Sequence, residues 1–257
     1  MNAVQESPLV YQLNSVHKAF GSKVVYVDMN LQLRRGETLA IIGGSGQGKS
    51  VCLKLMTGLL FADRGDVLFH GEDVADMDAN QLRELRTRVA MVFQGGALFD
   101  SMNVFENVAY ALVEHTAMGD AEIRSRVGEC LEMVGLGGGA GYPNIGDVMP
   151  AALSGGMRKR VALARAIALK PEVILYDEPT TGLDPSNCNR IARMIRQLQA
   201  DLGVTSVVVT HDMTTAWHVA DQVAMLDRCR FPYRAQVDEF RAIEDPVVHN
   251  FIEGIPE

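Results

Sequence analysis

The chain has 257 residues, of which 47% are hydrophobic, and a formal net charge of −8 at pH 7. Its length suffices for one compact unit with a large core and an inserted subdomain, while the acidic balance argues against nucleic acid as the main partner, since a duplex-binding surface needs a basic stripe. No apolar run approaches the ~20 residues that cross a bilayer. Residues 1–8 lack the basic start and apolar core of a signal peptide. The four cysteines form no C-x-x-C pair, which suits reduced thiols in a cytosolic protein.

The first elements along the chain are predicted to form an antiparallel β region. Strands are expected over residues 11–16 and 24–33, with a turn at residues 20–22 between them. Residues 66–71 are expected to continue that sheet, and residues 80–88 predict a short amphipathic helix.

A glycine-rich loop lies inside this region, between an apolar strand and a helix. Its sequence matches the pattern G-x-x-x-x-G-K-[ST], in which bare glycine main chain lets successive N–H groups close around phosphate oxygens. Lys49 is expected to reach the β- and γ-phosphates and the Ser50 hydroxyl to bind Mg²⁺. A plain tight turn is the alternative for the loop alone. The expected phosphate-binding residues are Gly43, Gly44, Ser45, Gly46, Gln47, Gly48, Lys49, Ser50 and Val51.

Two carboxylates follow an apolar run later in the chain. Residues 173–176 read Val-Ile-Leu-Tyr, which is typical of a strand buried on both faces in a parallel sheet. Two adjacent carboxylates at a buried strand end are costly unless a cation and a proton-transfer role occupy them. We therefore expect Asp177 to bind Mg²⁺ and Glu178 to polarise an attacking water, with a solvated acidic turn as the alternative.

The remaining pattern predicts a parallel core and a helical insert. Four strands are expected in the core, at residues 39–42, 89–93, 173–176 and 204–210. A capping box at residues 103–106 opens a helix to residue 113, and a second helix over 120–134 ends at the glycine run 135–141. A last helix is expected near residues 246–252.

The segment Leu153-Ser154-Gly155-Gly156-Met157 precedes another helical run. Ser154 is a good N-cap, and the two glycines expose N–H groups at the helix start, so this is an anion site whose own chain supplies no anion. An ordinary capped helix is the alternative. The basic residues that follow are interpreted as a solvated helix face rather than a specific contact: Arg158, Lys159, Arg160 and Arg165.

Together these motifs resemble the ATP-binding-cassette (ABC) ATPases over nearly the whole chain. The likeness rests on the glycine-rich loop, on residues 153–157 as the family signature, and on the Asp177-Glu178 strand downstream of it. Four single residues extend it: Phe20 as the adenine-stacking aromatic, Gln94 in the Q-loop, Asp184 in the D-loop and His211 in the switch.

The resemblance implies an α/β fold with a RecA-like P-loop core, an N-terminal antiparallel β region and an inserted helical subdomain. The chain would be a single ABC ATPase domain over residues 1–257, with the core at 1–94 and 155–257 and the helical subdomain at about 95–154. ATP and Mg²⁺ are the implied cofactors. A second copy is the implied partner in a head-to-tail homodimer, which sandwiches each ATP between one chain's phosphate loop and the other chain's signature.

The resemblance also implies a role for each site residue. The implied catalytic residues are Glu178, His211, Gln94 and Lys49. The implied metal-site residues are Ser50, Gln94 and Asp177. Beyond the glycine-rich loop, the implied nucleotide contacts are Phe20, Ser154, Gly155, Gly156 and Asp184.

Apolar residues beside the Q-loop favour a membrane partner. Leu98, Phe99 and Met102, close to Phe105, are expected to form a groove for a helix of an integral-membrane permease, with packing inside the subdomain as the alternative. The residues around the Q-loop and the signature are most similar to ATPases of MCE-associated lipid transporters of the Mla type, which move phospholipid or other lipid between bacterial envelope membranes. This implies MCE-domain and accessory subunits as further partners, and a peripheral location on the cytoplasmic face of the inner membrane.

Two features depart from the family pattern. Residues 227–234 contain no glycine and include Pro232, so the hairpin usual after the strand 222–226 is expected to be altered. The C-terminal segment is short, so a dimer-clasping tail is expected to be reduced or absent.

Other functions remain as alternatives. One is the ATPase subunit of an importer for another small solute. A second is a non-transport ABC ATPase, although the segment from Ser50 to Ser154 is too short for the long coiled coil of the DNA-repair class, and the chain has one cassette where translation factors have two. The third is an unrelated P-loop kinase or GTPase, against which the signature and Gln94 count.

Overall fold

A computed structural model of the protein describes residues 7–138 and 144–255. The strands are β1 (Leu9–Phe20), β2 (Lys23–Arg34), β3 (Thr38–Gly43), β4 (Arg64–Phe69), β5 (Glu72–Asp73), β6 (Val89–Val92), β7 (Val173–Asp177), β8 (Thr205–Val209), β9 (Gln222–Asp227) and β10 (Arg230–Gln236). The α-helices are α1 (Lys49–Met56), α2 (Ala79–Arg88), α3 (Val104–His115), α4 (Asp120–Met133), α5 (Gly155–Ile167), α6 (Pro185–Leu202), α7 (Met213–Val219), α8 (Val237–Arg241) and α9 (Pro246–Glu253).

The six-stranded core sheet has the order β10-β9-β3-β8-β7-β6, and all its strands except β10 run parallel. Each predicted core strand is confirmed within a residue or two at its ends. Every residue of β3 and β8 is buried, as expected for parallel strands covered on both faces. The carboxyl ends of these strands meet at one edge of the sheet, so the loops that follow them are brought together there.

The predicted antiparallel region is a four-stranded sheet of order β2-β1-β4-β5. It packs with α1 over one face of the core sheet, where Leu175 and Val207 are buried among Tyr11, Tyr26 and Met29. The side chains that alternate with them, such as Ile174 and Val208, lie in a second cluster with the helices α3 to α6. The core sheet is therefore the middle layer of three.

The helical segment between the Q-loop and the signature is built as its capping signals predict. Asn103 caps α3, and the side chain of Glu106 accepts a bond from the Asn103 main-chain N–H, which completes the predicted capping box. The buried Asn107 then bonds the main chain of Phe99 through both its amide oxygen (2.8 Å) and its amide nitrogen (3.1 Å). The loop before α3 is thereby fixed to the helix. Part of the predicted glycine run 135–141 lies outside the described residues.

Helices α4 and α5 cap each other with arginines. Arg126 of α4 is buried and donates to the carbonyls of Ile167 (2.7 Å) and Ala168 (3.0 Å) at the end of α5. Arg160 of α5 is likewise buried and donates to the Gly135 carbonyl after α4 (2.9 Å). Cations at helix C-termini satisfy carbonyls that lack an intrahelical partner. The C-terminal end of each helix is therefore bonded to an arginine of the other.

The apolar residues of the predicted permease groove do not share one environment. Leu98 and Phe105 pack against the core of the helical segment, which was the alternative expectation for them. Phe99 is 42% exposed, and its ring lies 5.0 Å from that of Tyr110, which is also exposed. Within the described residues, no helix combines the length and apolarity that a membrane crossing requires.

The hairpin between β9 and β10 forms without glycine, and the alteration expected from the sequence lies in its turn. Its two turn residues, Arg228 and Cys229, have φ of 42° and 66°, the left-handed pairing that a two-residue hairpin turn requires. Pro232 falls where the register between the strands shifts, a place where a missing N–H does no harm. The Val27 N–H of β2 donates to the Cys229 carbonyl (3.0 Å), and Arg230 Nε donates to the Val27 carbonyl (3.0 Å), so the hairpin tip joins the two sheets.

Arg228→Gly should stabilise the protein. A non-glycine residue in the left-handed region costs about 1–2 kcal/mol, which exceeds the backbone entropy of about 0.5–1 kcal/mol that glycine loses on folding. The Arg228 side chain is 87% exposed and approaches Asp227 only to 3.9 Å, so little is lost with it. We expect urea denaturation to give a gain of about 0.5 kcal/mol in the free energy of unfolding.

The matched control is Arg230→Gly, two residues further in β10. This residue has no positive φ, and its side chain bonds Val27, so glycine there should lower the free energy of unfolding. A loss of stability in Arg228→Gly would contradict the interpretation of the turn.

Candidate active site

The phosphate loop between β3 and α1 is held from the side by β2. The Tyr26 hydroxyl donates to the Gly48 carbonyl (2.6 Å), and Lys23 Nζ donates to the Gly46 carbonyl (3.2 Å). Gly48 has φ of 112°, and a Cβ added to it would lie 2.3 Å from Val25 Cγ1. Only glycine fits at this position, so β2 determines the shape of the loop.

Lys49 is bent back over the loop that precedes it. Its ammonium donates to the carbonyls of Gly43 (2.8 Å) and Gly44 (3.0 Å), and the side chain is buried. Burial lowers the pKa of Lys49, and the carboxylates of Glu178 and Asp177 oppose that shift. The amino group lies on the inner side of the loop, the position from which an ammonium can neutralise phosphate oxygens.

Two of the three residues expected at the Mg²⁺ site are in contact with each other. The Ser50 hydroxyl at the start of α1 donates to Asp177 Oδ1 at the end of β7 over 2.6 Å. A hydroxyl and a carboxylate are hard oxygen ligands of the kind Mg²⁺ prefers, and Mg²⁺ commonly takes only one or two ligands from the protein and the rest from phosphates and water. No group of three His, Cys, Asp or Glu residues able to hold a metal occurs in the described part of the chain. The residues present fit a metal held jointly with a nucleotide.

Glu178 is fixed on both sides of its carboxylate. Its carboxylate lies 2.9 Å from His211 Nδ1, and the Thr181 hydroxyl donates to Oε2 over 3.0 Å. Glu178 has φ of 48°, and its main-chain N–H donates to the Val209 carbonyl of β8 (2.9 Å). A non-glycine residue in this region stores about 1–3 kcal/mol of strain and persists only where neighbours over-determine it. The contacts with His211 and Thr181 therefore fix the orientation of the Glu178 carboxylate.

These elements converge on one cavity of about 350 Å³ at the carboxyl edge of the core sheet. Gln94 follows β6, Glu178 follows β7 and His211 follows β8, and all three line the cavity opposite the phosphate loop. The loop contributes Ser45, Gly46, Gly48, Lys49, Ser50 and Val51.

A larger cavity of about 750 Å³ lies at the opposite edge of the sheet. It contains cations, but α2, α3, α5 and α6 all end beside it, and basic side chains at helix C-termini are accounted for by the helix dipole. Glu172 at this edge pairs with Arg88 (2.8 Å) and His70 (2.7 Å). We therefore place the candidate active site in the smaller cavity.

The other predicted nucleotide contacts do not line that cavity. Gly43 and Gly44 lie at the base and outer side of the loop, and the Gln47 side chain folds back to accept a bond from the Gly44 N–H (2.9 Å). Phe20 is 46% exposed at the end of β1, beside the strand that carries Lys23. Phe20 therefore lies next to Lys23, which bonds the phosphate loop, and outside the cavity.

The signature residues and Asp184 form a second patch, which we call the signature patch: Ser154, Gly155, Gly156, Asp184 and Asn187. The Ser154 hydroxyl caps α5 by accepting from the Met157 N–H (3.2 Å). Asp184 caps α6 by accepting from the N–H (3.0 Å) and the side-chain amide (2.6 Å) of Asn187, and these bonds lower the pKa of its carboxyl. A Cβ on Gly156 would lie 3.1 Å from Asn187 Oδ1, so the two helix starts are adjacent.

The expectation that the basic residues of α5 form a solvated face holds for Arg158, which is exposed, and is wrong for the other three. Lys159 and Arg160 are only 7% and 6% exposed. The Lys159 ammonium donates to the main-chain carbonyls of Gln94 and Glu178, and Arg165 donates to those of Gly96 (2.8 Å) and Ala97 (2.9 Å). The physical reason is that this part of α5 is covered by neighbouring elements, and main-chain carbonyls of the adjacent loops accept hydrogen bonds from the covered cations.

Sequence reasoning also missed Tyr26 and Thr181 as supports of the site. Tyr26 carried a usable signal, since a tyrosine on the buried face of a strand usually finds a partner for its hydroxyl. The burial of Lys159 also had a signal in the sequence. Most residues that follow it in α5 are apolar, so the helix has no wide polar stripe that could face solvent.

Comparison with known proteins assigns the chain and its fold to one family. A family model described as ABC transporter matches residues 26–181. The chain is 41% identical over 237 residues to the intermembrane phospholipid transport system ATP-binding protein MlaF of Escherichia coli. The aligned region covers 92% of this chain and 86% of that protein. It is 40% identical over 243 residues to the probable ribonucleotide transport ATP-binding protein mkl of Mycobacterium leprae, over 95% of this chain and 68% of that protein.

Solved structures give the same result. The dimeric ATP-binding cassette MJ0796 in a post-hydrolysis state bound to ADP and Pi has a TM-score of 0.79 at 31% identity, over 88% of this chain and 98% of that one. The structure of cbiO1 from Clostridium perfringens, part of the ABC transporter complex cbiONQ, has a TM-score of 0.81 at 27% identity, over 95% of each chain.

Gly48→Ala should distort the phosphate loop. The new methyl group would lie 2.3 Å from Val25 Cγ1 at a φ that alanine avoids, and we expect a loss of about 1–3 kcal/mol in the free energy of unfolding. Binding of a fluorescent ATP analogue should weaken in parallel. Adding Val25→Ala removes the obstructing methyl group and should restore part of both.

The matched control is Gly128→Ala on the exposed side of α4, where nothing lies within 4 Å of the new Cβ. This change should raise stability by about 0.5–1 kcal/mol through helix propensity. Unchanged nucleotide binding and stability in Gly48→Ala would contradict the account of the loop.

Proposed function

The chain belongs to the ABC transporter family, and on that basis we propose that it is the ATP-hydrolysing subunit of a complex whose membrane permease moves phospholipid or another lipid. It is an ATPase that couples ATP hydrolysis to transport. The observation that carries the assignment of its site is the single cavity where the phosphate loop, Gln94, Glu178 and His211 meet.

Binding of ATP is assigned to the loop and its supports. The main-chain N–H groups of residues 44–51 would surround the phosphates, with Lys49 neutralising the β- and γ-oxygens from the inner side. Phe20 would stack on the adenine at the edge of the site. Ser50 and Asp177, already in contact, would hold Mg²⁺ together with Gln94. The bound ion would neutralise negative charge on the phosphates.

Hydrolysis is assigned to Glu178 as general base. Its carboxylate would accept a proton from a water as the water oxygen bonds to the γ-phosphorus and the bond to the ADP oxygen breaks. The 2.9 Å contact with His211 supports this role because it holds the carboxylate at the cavity wall. His211 and Gln94 would then contact the γ-phosphate and the water, and Lys49 would stabilise the charge on the leaving ADP.

The signature patch is assigned to the ATP of a second copy. Its helix starts present N–H groups to an anion, yet its residues do not line the cavity formed by the phosphate loop. A head-to-tail homodimer would bring Ser154, Gly155 and Gly156 of one subunit onto the γ-phosphate held by the other, with Asp184 beside them. The dimeric cassette among the structural relatives supports this arrangement.

The transported molecule is assigned from the relatives. MlaF is named for phospholipid transport, and the chain aligns with 86% of its length. The mycobacterial relative is named for ribonucleotide transport at nearly the same identity, and the chain spans only about two thirds of its length. Lipid is therefore the first assignment, and a soluble solute is the second. An MCE-domain subunit and a permease would be the partners, and the protein would lie on the cytoplasmic face of the inner membrane.

The permease surface is assigned to exposed apolar residues of the helical segment. The rings of Phe99 and Tyr110 meet at the surface in a tilted contact, and Val113, one turn further along α3, is 60% exposed. Because these residues follow the Q-loop, a helix of the permease seated on them would sense movement of Gln94.

Glu178→Gln should abolish turnover while leaving nucleotide binding intact. The amide keeps its contacts with Thr181 and His211 but cannot accept the proton, so we expect kcat to fall by about a hundredfold or more. Size-exclusion chromatography with Mg-ATP should then reveal a dimer that persists because hydrolysis no longer dissolves it.

Glu84→Gln on the exposed side of α2 is the control, and its kcat should equal that of the wild type. Full activity in Glu178→Gln would reject the assignment of the base. For the wild type, a rate per molecule that does not fall on dilution would reject the shared site.

Val113→Asp should weaken the complex with the permease without lowering the ATPase rate of the isolated protein. Tagged protein is purified from its native membranes, and the companions are identified by mass spectrometry. Leu59→Asp is the control, because Leu59 is 50% exposed in the segment between α1 and β4, away from this surface. An MCE-domain protein and a multi-span permease would support the lipid assignment, whereas a periplasmic amino-acid, sugar or nucleoside receptor would overturn it.

A further inference from the structure

Lys159 is a buried cation whose hydrogen-bond partners among the described residues are main-chain carbonyls. Its ammonium, near the start of α5, donates to the carbonyl of Gln94 and, at 3.4 Å, to that of Glu178. Only 7% of the residue is exposed. A lysine is seldom buried to this degree for packing alone, because removing an ammonium from water is expensive.

The two carbonyls occupy equivalent places in the core sheet. Val92 of β6 pairs with Tyr176 of β7 in parallel register, and Gln94 and Glu178 each lie two residues beyond that pair. At this point the strands diverge into the Q-loop and into the left-handed turn at Glu178. The Lys159 ammonium therefore bonds the main chain after β6 and after β7, beyond the last residue pair of these two strands.

The charge of Lys159 also belongs to the site. Burial lowers its pKa, and the carboxylates of Glu178 and Asp177 oppose that shift more than any other group. The same two carboxylates act on Lys49. Two lysines thus balance the two carboxylates at the carboxyl edge of the sheet, with Lys49 on the phosphate side and Lys159 behind the strand ends.

We propose that Lys159 is a positioning residue that fixes the main chain of Gln94 and Glu178 to the signature helix of the same chain. It does not touch the nucleotide. It sets where the Gln94 side chain and the Glu178 carboxylate point, and Arg165 reinforces it by holding the next part of the Q-loop at Gly96 and Ala97. This inference rests on the proposed function, in which Glu178 is the general base.

In the proposed dimer, the hydrogen bonds from Lys159 to Gln94 and Glu178 would connect two ATP sites. The start of α5, five residues before Lys159, would bind the γ-phosphate held by the partner subunit. Lys159 on the same helix would hold the general base and the Q-loop of its own site. A displacement of α5 by the partner's nucleotide would therefore reach Glu178 through one rigid helix.

The test compares Lys159→Met, Lys159→Gln and Lys159→Arg with the wild type in steady-state ATP hydrolysis. A misplaced catalytic group costs turnover rather than binding, so we expect kcat of Lys159→Met to fall about tenfold to a hundredfold with the KM for ATP within about twofold. Lys159→Arg, which keeps the charge and the donors, should recover most of kcat. Lys159→Gln, which keeps donors without charge, should lie between them.

Arg160→Met is the matched control. Arg160 is equally buried on the neighbouring position of α5, but it bonds the Gly135 carbonyl outside the site. We expect its Tm to fall while kcat of the folded protein stays at the wild-type value. If Arg160→Met loses as much kcat as Lys159→Met, general packing of α5 is the cause and the proposal is wrong.

A second readout separates this proposal from the site assignment itself. In the Glu178→Gln background, Lys159→Met should still form the ATP-dependent dimer, because the phosphate loop and signature patch are untouched. A kcat of Lys159→Met within twofold of the wild type would overturn the proposal alone. Full activity of Glu178→Gln without Lys159 changes would instead overturn the assignment of the general base.

Discussion

The parallel alignment of β6, β7, β8 and β3 is the constraint on which the site depends. Parallel strands place all their carboxyl ends at one edge, so Gln94, Glu178, His211 and the phosphate loop meet although they are separated by up to 168 positions in the chain. The apolar runs of these strands are what bury the sheet on both faces. The polar groups that follow the carboxyl ends of these strands are concentrated in one cavity.

The cations at this edge are as important to its geometry as the carboxylates. Lys49, Lys159 and Arg165 all donate to main-chain carbonyls of loops rather than to acidic side chains. Loop carbonyls at the end of a parallel sheet have no ladder partner, and an ammonium or guanidinium group satisfies them while remaining charged. The loops are thus held in shape by groups that can also balance phosphate or carboxylate charge. This explains how segments without regular structure keep the precision that phosphoryl transfer requires.

The sequence was sufficient for the core strands, the capping box of α3 and the residues that line the cavity, because each has a local signal: an apolar run, an Asn-x-x-Glu spacing, or a motif directly after a strand. It was insufficient for β10, whose charged residues and Pro232 hide a strand at the sheet edge. It also failed for Lys159, Arg160 and Arg165 of α5. Lys159 is solvated or buried according to what packs on α5, and that depends on Gln94 and Glu178, which lie 65 and 19 residues away. No local pattern encodes such a contact.

The bonds between the hairpin tip and Val27 have a mechanical consequence. They tie an edge strand of the antiparallel sheet to the end of the core sheet, and Tyr26, the preceding residue of β2, bonds the phosphate loop. Sliding of one layer over the other would break these bonds together. The phosphate loop therefore keeps a constant position relative to the start of β2, where Lys23 pairs with Phe20 and donates to the Gly46 carbonyl. The mouth of the cavity and its phosphate end belong to one rigid unit.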